Sequence, residues 1–246
     1  MDSIKKIFKS VMEKCLFFLK NKKHLYIIPM YFILVSVLFI LLANFIYERY
    51  LVPEETEEIT MDFTGGTDEP VYEFNGETVV IDPGHGGHDP GASSVTGLTE
   101  DEIVYNVALQ MQEKLESQGA EVILTREPDE FKTLDERNVD GDLFVALHSD
   151  AIEDSSISGF TVYYTYPNQQ EFAENISSAL DKYSYFYNRG VNQENFQVTW
   201  QLDYPGVLVE LGYLSNALDD RIIADEEYQE LMADALVEGI YNYLYE

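Results

Sequence analysis

From Glu77 onward, short unbroken apolar runs alternate with stretches whose apolar residues recur every three or four positions. TVVID (78–82) reads as a buried strand, and Glu102 to Ser117 as a helix with Ile103, Val104, Val107, Met111 and Leu115 on one face. AEVILT (120–125) is a second strand and DLFVALH (142–148) a third. TVYYTY (161–166) alternates, as a strand nearer an edge does, and Gln169 to Tyr185 has helical spacing. GVLVELGYL (206–214) is a further apolar strand, and Asp219 to Leu244 reads as one closing helix. Continuous apolar strands separated by helices predict a single α/β domain over residues 77–246, its mostly parallel sheet flanked by helices on both faces. Ligands in such sheets bind beyond the carboxyl ends of the strands, which points to the loop from Pro83, to His148 and to Glu210.

The pattern before that domain is different. Leu25 to Tyr47 contains no charged residue and is long enough for a transmembrane helix, since about 20 apolar residues cross a bilayer core. A cleaved signal peptide usually has a shorter apolar region, so a retained anchor over residues 25–47 is expected. Residues 1–24 form a lysine-rich leader in which Ile4, Ile7, Phe8, Val11, Met12 and Cys15 recur at helical spacing. Lysines before the span place the N-terminus in the cytoplasm and the remainder outside the cell membrane. Residues 48–76 are acidic and rich in turn formers, the composition of an extracellular linker with a span on the order of 30 Å.

Charge narrows the partners. Residues 1–48 carry seven lysines against three acids, whereas residues 49–246 carry eight Lys and Arg against 42 Asp and Glu. So acidic a body repels phosphate backbones, and no nucleic acid is expected as a partner. Cys15, the single cysteine, precedes the span, so the exported part holds no disulfide.

Candidate chemistry gathers in VVIDPGHGGHDPG (79–91), an apolar run opening into a loop with two prolines, four glycines, two aspartates and two histidines. The loop lacks the lysine of a phosphate-binding loop and the glycine spacing of a dinucleotide-binding turn. His85 and His148 directly follow predicted strands; Glu100 precedes the first helix, and Glu210 interrupts an apolar strand where an unpaired carboxylate is costly. Two imidazoles and one carboxylate leave an open position on tetrahedral zinc, as a hydrolytic site requires. Asp82 or Asp89 could hold the loop or the second nitrogen of His85. For Glu210 the structural alternative is an ion pair with Arg126 or Arg189, and nothing requires His88 as a ligand.

VVIDPGHGGHDPGA, TEDEIVYNVAL, VILTR, LHSDA, SGFTVYY, NRG and VLVELGYLSN occur in that order. Together they resemble the zinc-dependent N-acetylmuramoyl-L-alanine amidases of the Amidase_3 family, in particular its membrane-anchored, LytH-type branch. The resemblance covers residues 77–246. It implies that His85, Glu100 and His148 bind Zn²⁺ and that Glu210 is the catalytic acid/base. The implied substrate is peptidoglycan, cut at the amide between the muramic acid lactyl group and L-alanine. Many relatives have Asn two residues after the second His, where this chain has Asp150. A silent wall- or partner-binding scaffold and a zinc peptidase acting within the stem peptide are the competing readings. A membrane-protein activator packing against residues 25–47 is a further expectation, with a simple tether as its equal alternative.

Overall fold

A computed structural model describes residues 9, 10, 12–14, 71–94 and 97–246. The chain divides into two units, Met1–Met61 and Asp62–Glu246. In the first, the described residues are helical. The expected span 25–47 lies outside the described residues, as does the linker up to residue 70. Among the described residues no helix is long and apolar enough to cross a membrane.

The second unit is built on strands β1 (Thr78–Pro83), β2 (Glu121–Leu124), β3 (Leu143–Asp150), β4 (Phe160–Tyr164), β5 (Asn188–Gln193) and β6 (Gly206–Tyr213). Between and after them run helices α1 (Glu100–Ser117), α2 (Gln170–Tyr183), α3 (Gln197–Trp200), α4 (Ala217–Ile223) and α5 (Glu226–Tyr245). The sheet order is β2-β1-β3-β6-β4-β5. β2, β1, β3 and β6 pair in parallel; β4 joins β6 antiparallel, and β5 pairs in parallel with β4. The α/β domain is therefore present with a mixed sheet, mostly parallel by pairing. β3 and β6 occupy its centre, which explains their apolar runs LFVAL and GVLV.

Two elements depart from the sequence reading. β5 is a polar edge strand, NRGVNQ, whose composition carries no strand signal. The closing helix is two helices, because Asp225 caps the second, its side chain accepting from the N–H groups of Glu227 and Tyr228.

α5 packs against both α1 and α2, so these three helices cover one face. The opposite face carries Val80, Phe144, Ala146 and Leu208, closed over by Val198 and Leu202 from α3 and the turn after it. The expected helical cover is thus uneven: on this side the one short helix α3 is joined by irregular chain. Strand side chains alternate in direction. Val80 and Asp82, Ala146 and His148, and Leu208 and Glu210 accordingly share this thinly covered face. Even positions along three central strands run from core at their middles to polar chemistry at their carboxyl ends.

Candidate metal centre

β1 ends at Pro83, and the chain turns through Gly84 into His85, whose φ of 59° makes it the one described non-glycine residue in the left-handed region. Such a conformation is costly and needs support from its surroundings. Two buried arginines supply it. Arg126 donates to the carbonyls of Pro83 (2.9 Å) and Gly84 (3.1 Å), and Arg137 to those of Pro83 (2.9 Å) and His85 (2.6 Å). Arg137 also pairs with the fully buried Asp82 at 2.7 Å, and the same carboxylate oxygen accepts from Thr125. The main chain around His85 is thus pinned by two buried guanidinium groups.

Glu100 arrives from the other side as the first residue of α1. Thr99 precedes it as the N-cap, with Glu102 accepting from the Thr99 N–H at 2.9 Å. Glu100 Oε1 lies 3.2 Å from His85 Nε2 and 3.0 Å from His148 Nδ1, and accepts from Ser149 N at 3.0 Å. Its Oε2 accepts from Ala92 N at 2.8 Å. His85 turns its other nitrogen, Nδ1, to Asp89 Oδ2 at 2.9 Å, which fixes the ring. Two glycines make the convergence possible. A Cβ on Gly84 would stand 2.3 Å from the His148 ring, and one on Gly91 2.5 Å from Glu100 Oε2.

The electrostatics of the cluster favour a cation. The hydrogen bond to Glu100 pushes His85 up to about 9 against the opposing effect of burial. For His148, burial is outweighed by its hydrogen bond to Glu100 and the charge of Glu210, so its pKa also rises. Burial would raise Glu100, yet hydrogen bonds from His148 and His85 hold it below the ordinary carboxylate range. Three potential ligand atoms, one from each of His85, Glu100 and His148, lie within 4.8 Å of one another and draw positive charge to one point. A divalent cation meets that demand, and an oxygen–nitrogen donor set of two imidazoles and one carboxylate suits zinc.

Glu210 sits directly across the sheet from His148 in the β3–β6 register. It is 9% exposed, and its Oε2 is buried without a hydrogen-bond partner. Burial pushes its carboxyl up to about 7, the positive His148 opposing this and the charges of Asp150 and Glu100 adding to it. Beside the cluster opens a cavity of about 260 Å³ lined by His85, His148, Phe131, Lys132, Leu134 and Val198 among others.

The model of the Amidase_3 family, described as N-acetylmuramoyl-L-alanine amidase, matches residues 79–242. The chain belongs to this amidase family. It is 43% identical over 172 residues to the probable cell wall amidase LytH of Staphylococcus saprophyticus, covering 69% of this chain and 59% of that protein. The chain thus spans less than two thirds of the length of that relative. Among solved structures, the N-acetylmuramoyl-L-alanine amidase AmiC2 of Nostoc punctiforme superimposes with a TM-score of 0.67 at 34% identity, over 70% of this chain and 100% of that one. The CwlD amidase of Clostridioides difficile, solved in complex with the GerS lipoprotein, gives a TM-score of 0.61 at 31% identity, over 68% and 98% of the two chains.

Within the family fold, all four sequence-derived site residues come together at the carboxyl ends of the strands. His88 stays apart from the cluster, its ring 4.1 Å from that of Phe131. Neither arginine considered as a partner for Glu210 serves as one. Arg126 holds the loop, and Arg189 donates to Ser158 O at 3.3 Å while lying over the Tyr213 ring. Asp82 and Asp89 divide the supporting work, the first bonding Arg137 and the second His85. Sequence reasoning missed the loop-holding role of Arg137, whose bonds to the carbonyls of Pro83 and His85 no sequence pattern marks.

Proposed function

We propose that this chain is a zinc-dependent N-acetylmuramoyl-L-alanine amidase that cuts peptidoglycan at the amide joining the muramic acid lactyl group to L-alanine, close to the cell membrane. The observation that carries the reading is the pairing of a cation-seeking His85–Glu100–His148 cluster with a buried, unpartnered carboxylate whose pKa lies near neutrality. His85, Glu100 and His148 would hold the metal. Bound zinc lowers the pKa of a water molecule and polarises an amide carbonyl.

The chain's own residues do the rest. A Glu210 carboxyl near 7 both accepts and gives up a proton at neutral pH, the property a general acid/base needs. It takes the proton from the attacking water as the new carbon–oxygen bond forms. It then returns a proton to the L-alanine nitrogen as the carbon–nitrogen bond breaks. Asp89 keeps His85 in one ring orientation, and Arg126 and Arg137 keep its backbone in place, so the ligands are organised before substrate arrives. Phe131, Leu134 and Val198 give the cavity an apolar wall.

Residues 25–47 would serve as a single-pass anchor with the N-terminus cytoplasmic, and a membrane protein packing against that span would position or activate the domain. That a family member, CwlD, has been solved with a lipoprotein supports looking for such a partner. The chemistry is tested by digesting purified peptidoglycan with the full chain and analysing products by mass spectrometry. The amidase reading predicts stem peptides with free L-alanine N-termini and bare glycan. Intact lactyl-alanine linkages with cuts inside the stem would mark a peptidase, and no release a scaffold.

A further inference from the structure

Positive charge is scarce on this domain, and its placement is informative. Arg126 and Arg137 spend their guanidinium groups on loop carbonyls and Asp82. Lys114 pairs with Asp234 at 2.7 Å, Lys182 with Glu238 at 3.0 Å, Arg189 bonds Ser158 O, and Arg221 lies in the last turn of α4. Lys132 differs. It lines the cavity beside His85 and His148, and its ammonium is held by Glu130 at 2.7 Å in a solvent-accessible pair. Such pairs are screened and readily exchanged for another anion.

We infer that Lys132 is a specificity-determining residue that binds a carboxylate on the peptide side of the substrate, exchanging Glu130 for it. This deepens the amidase reading and rests on it. The cut made there leaves a sugar lactyl group on one side and a peptide on the other, and carboxylates belong to the peptide. An acidic domain repels such a ligand at long range, so one exchangeable ammonium on a residue lining the cavity has a large effect on which stems are accepted. The consequence is a preference for a stem whose acidic residue after L-alanine is free over one in which it is amidated.

Calorimetric titration decides it. The full chain carrying Glu210→Gln, and the same chain with Lys132→Gln or Lys132→Arg added, is titrated with the γ-methylamide of N-acetylmuramoyl-L-alanyl-D-glutamate, which keeps one free carboxylate, and with the corresponding α-amide, which has none. The recovered ligand is checked for cleavage. With Lys132 present the free acid binds about tenfold tighter than the amide, as a charge-assisted hydrogen bond predicts. Lys132→Gln reduces the ratio to near one, and Lys132→Arg keeps most of it. Equal binding of acid and amide with Lys132 present, or a preference that survives Lys132→Gln, contradicts this inference alone. No binding of either ligand contradicts the amidase reading as well.

Discussion

At the scale of single residues, the site is limited by space as much as by chemistry. Gly91 has a φ of +65°, and a Cβ there would meet both Glu100 Oε2 at 2.5 Å and the His85 ring at 2.8 Å. Gly91→Ala therefore combines backbone strain with displacement of two ligand side chains. A loss of about 1–3 kcal/mol is expected in urea unfolding, together with weaker zinc retention. Wild-type stability and metal content in this variant would show that the loop has room to spare. His85, His148 and Glu210 were legible in the sequence because their types are rare in apolar surroundings, two histidines after strands and a glutamate inside one, whereas Glu100, beside Asp101 and Glu102, stood out only through the family resemblance. The loop-holding arginines were not legible, because a guanidinium bonded to main-chain carbonyls leaves no trace in the sequence of its acceptors.

At the scale of elements, one carboxylate joins three separate segments. Glu238 of α5 accepts from Lys182 Nζ (3.0 Å) and Tyr183 OH (2.5 Å) at the end of α2, and from Tyr72 OH (3.0 Å) in the chain entering the domain. Burial opposes ionisation of Glu238, but hydrogen bonds from Tyr183, Lys182 and Tyr72 outweigh it and lower its pKa below the ordinary 4.5. A lowered folded-state pKa means the charged form is favoured by folding. Its stabilisation is complete above the unfolded value near 4.5 and is lost as pH falls through the lower folded value. Glu238→Gln should thus lower the urea midpoint at pH 7, with the gap to wild type narrowing below pH 4. A gap independent of pH would assign the effect to shape instead of charge. The strands β1, β3 and β6 were readable because they are buried on both faces. β5 was not, since an edge strand needs apolar residues on neither side, and the antiparallel entry of β4 is set by a connection whose direction local pattern does not encode.

At the scale of the whole molecule, a domain this acidic needs something to bring it to the peptidoglycan substrate proposed for it. A tether alone raises local concentration. A partner at residues 25–47 would add control. Replacing residues 25–47 with an unrelated span of equal length and orientation, with expression and topology verified, should reduce activity in cells and remove a co-purifying membrane protein. Undiminished activity with an unchanged set of co-purifying proteins would leave simple tethering.

The division of labour between the two buried glutamates is the centre of this account, and zinc content measured alongside turnover in two purified variants tests it most directly. Glu100 lies between the histidine nitrogens, whereas Glu210 stands opposite His148 with a free oxygen. Glu100→Ala is predicted to lose zinc and turnover together. Glu210→Ala is predicted to lose turnover by at least about a hundredfold, as expected for removal of a general acid/base, while keeping near-stoichiometric zinc and a folded domain. Equal loss of zinc in both variants, or substantial turnover without Glu210, would contradict it.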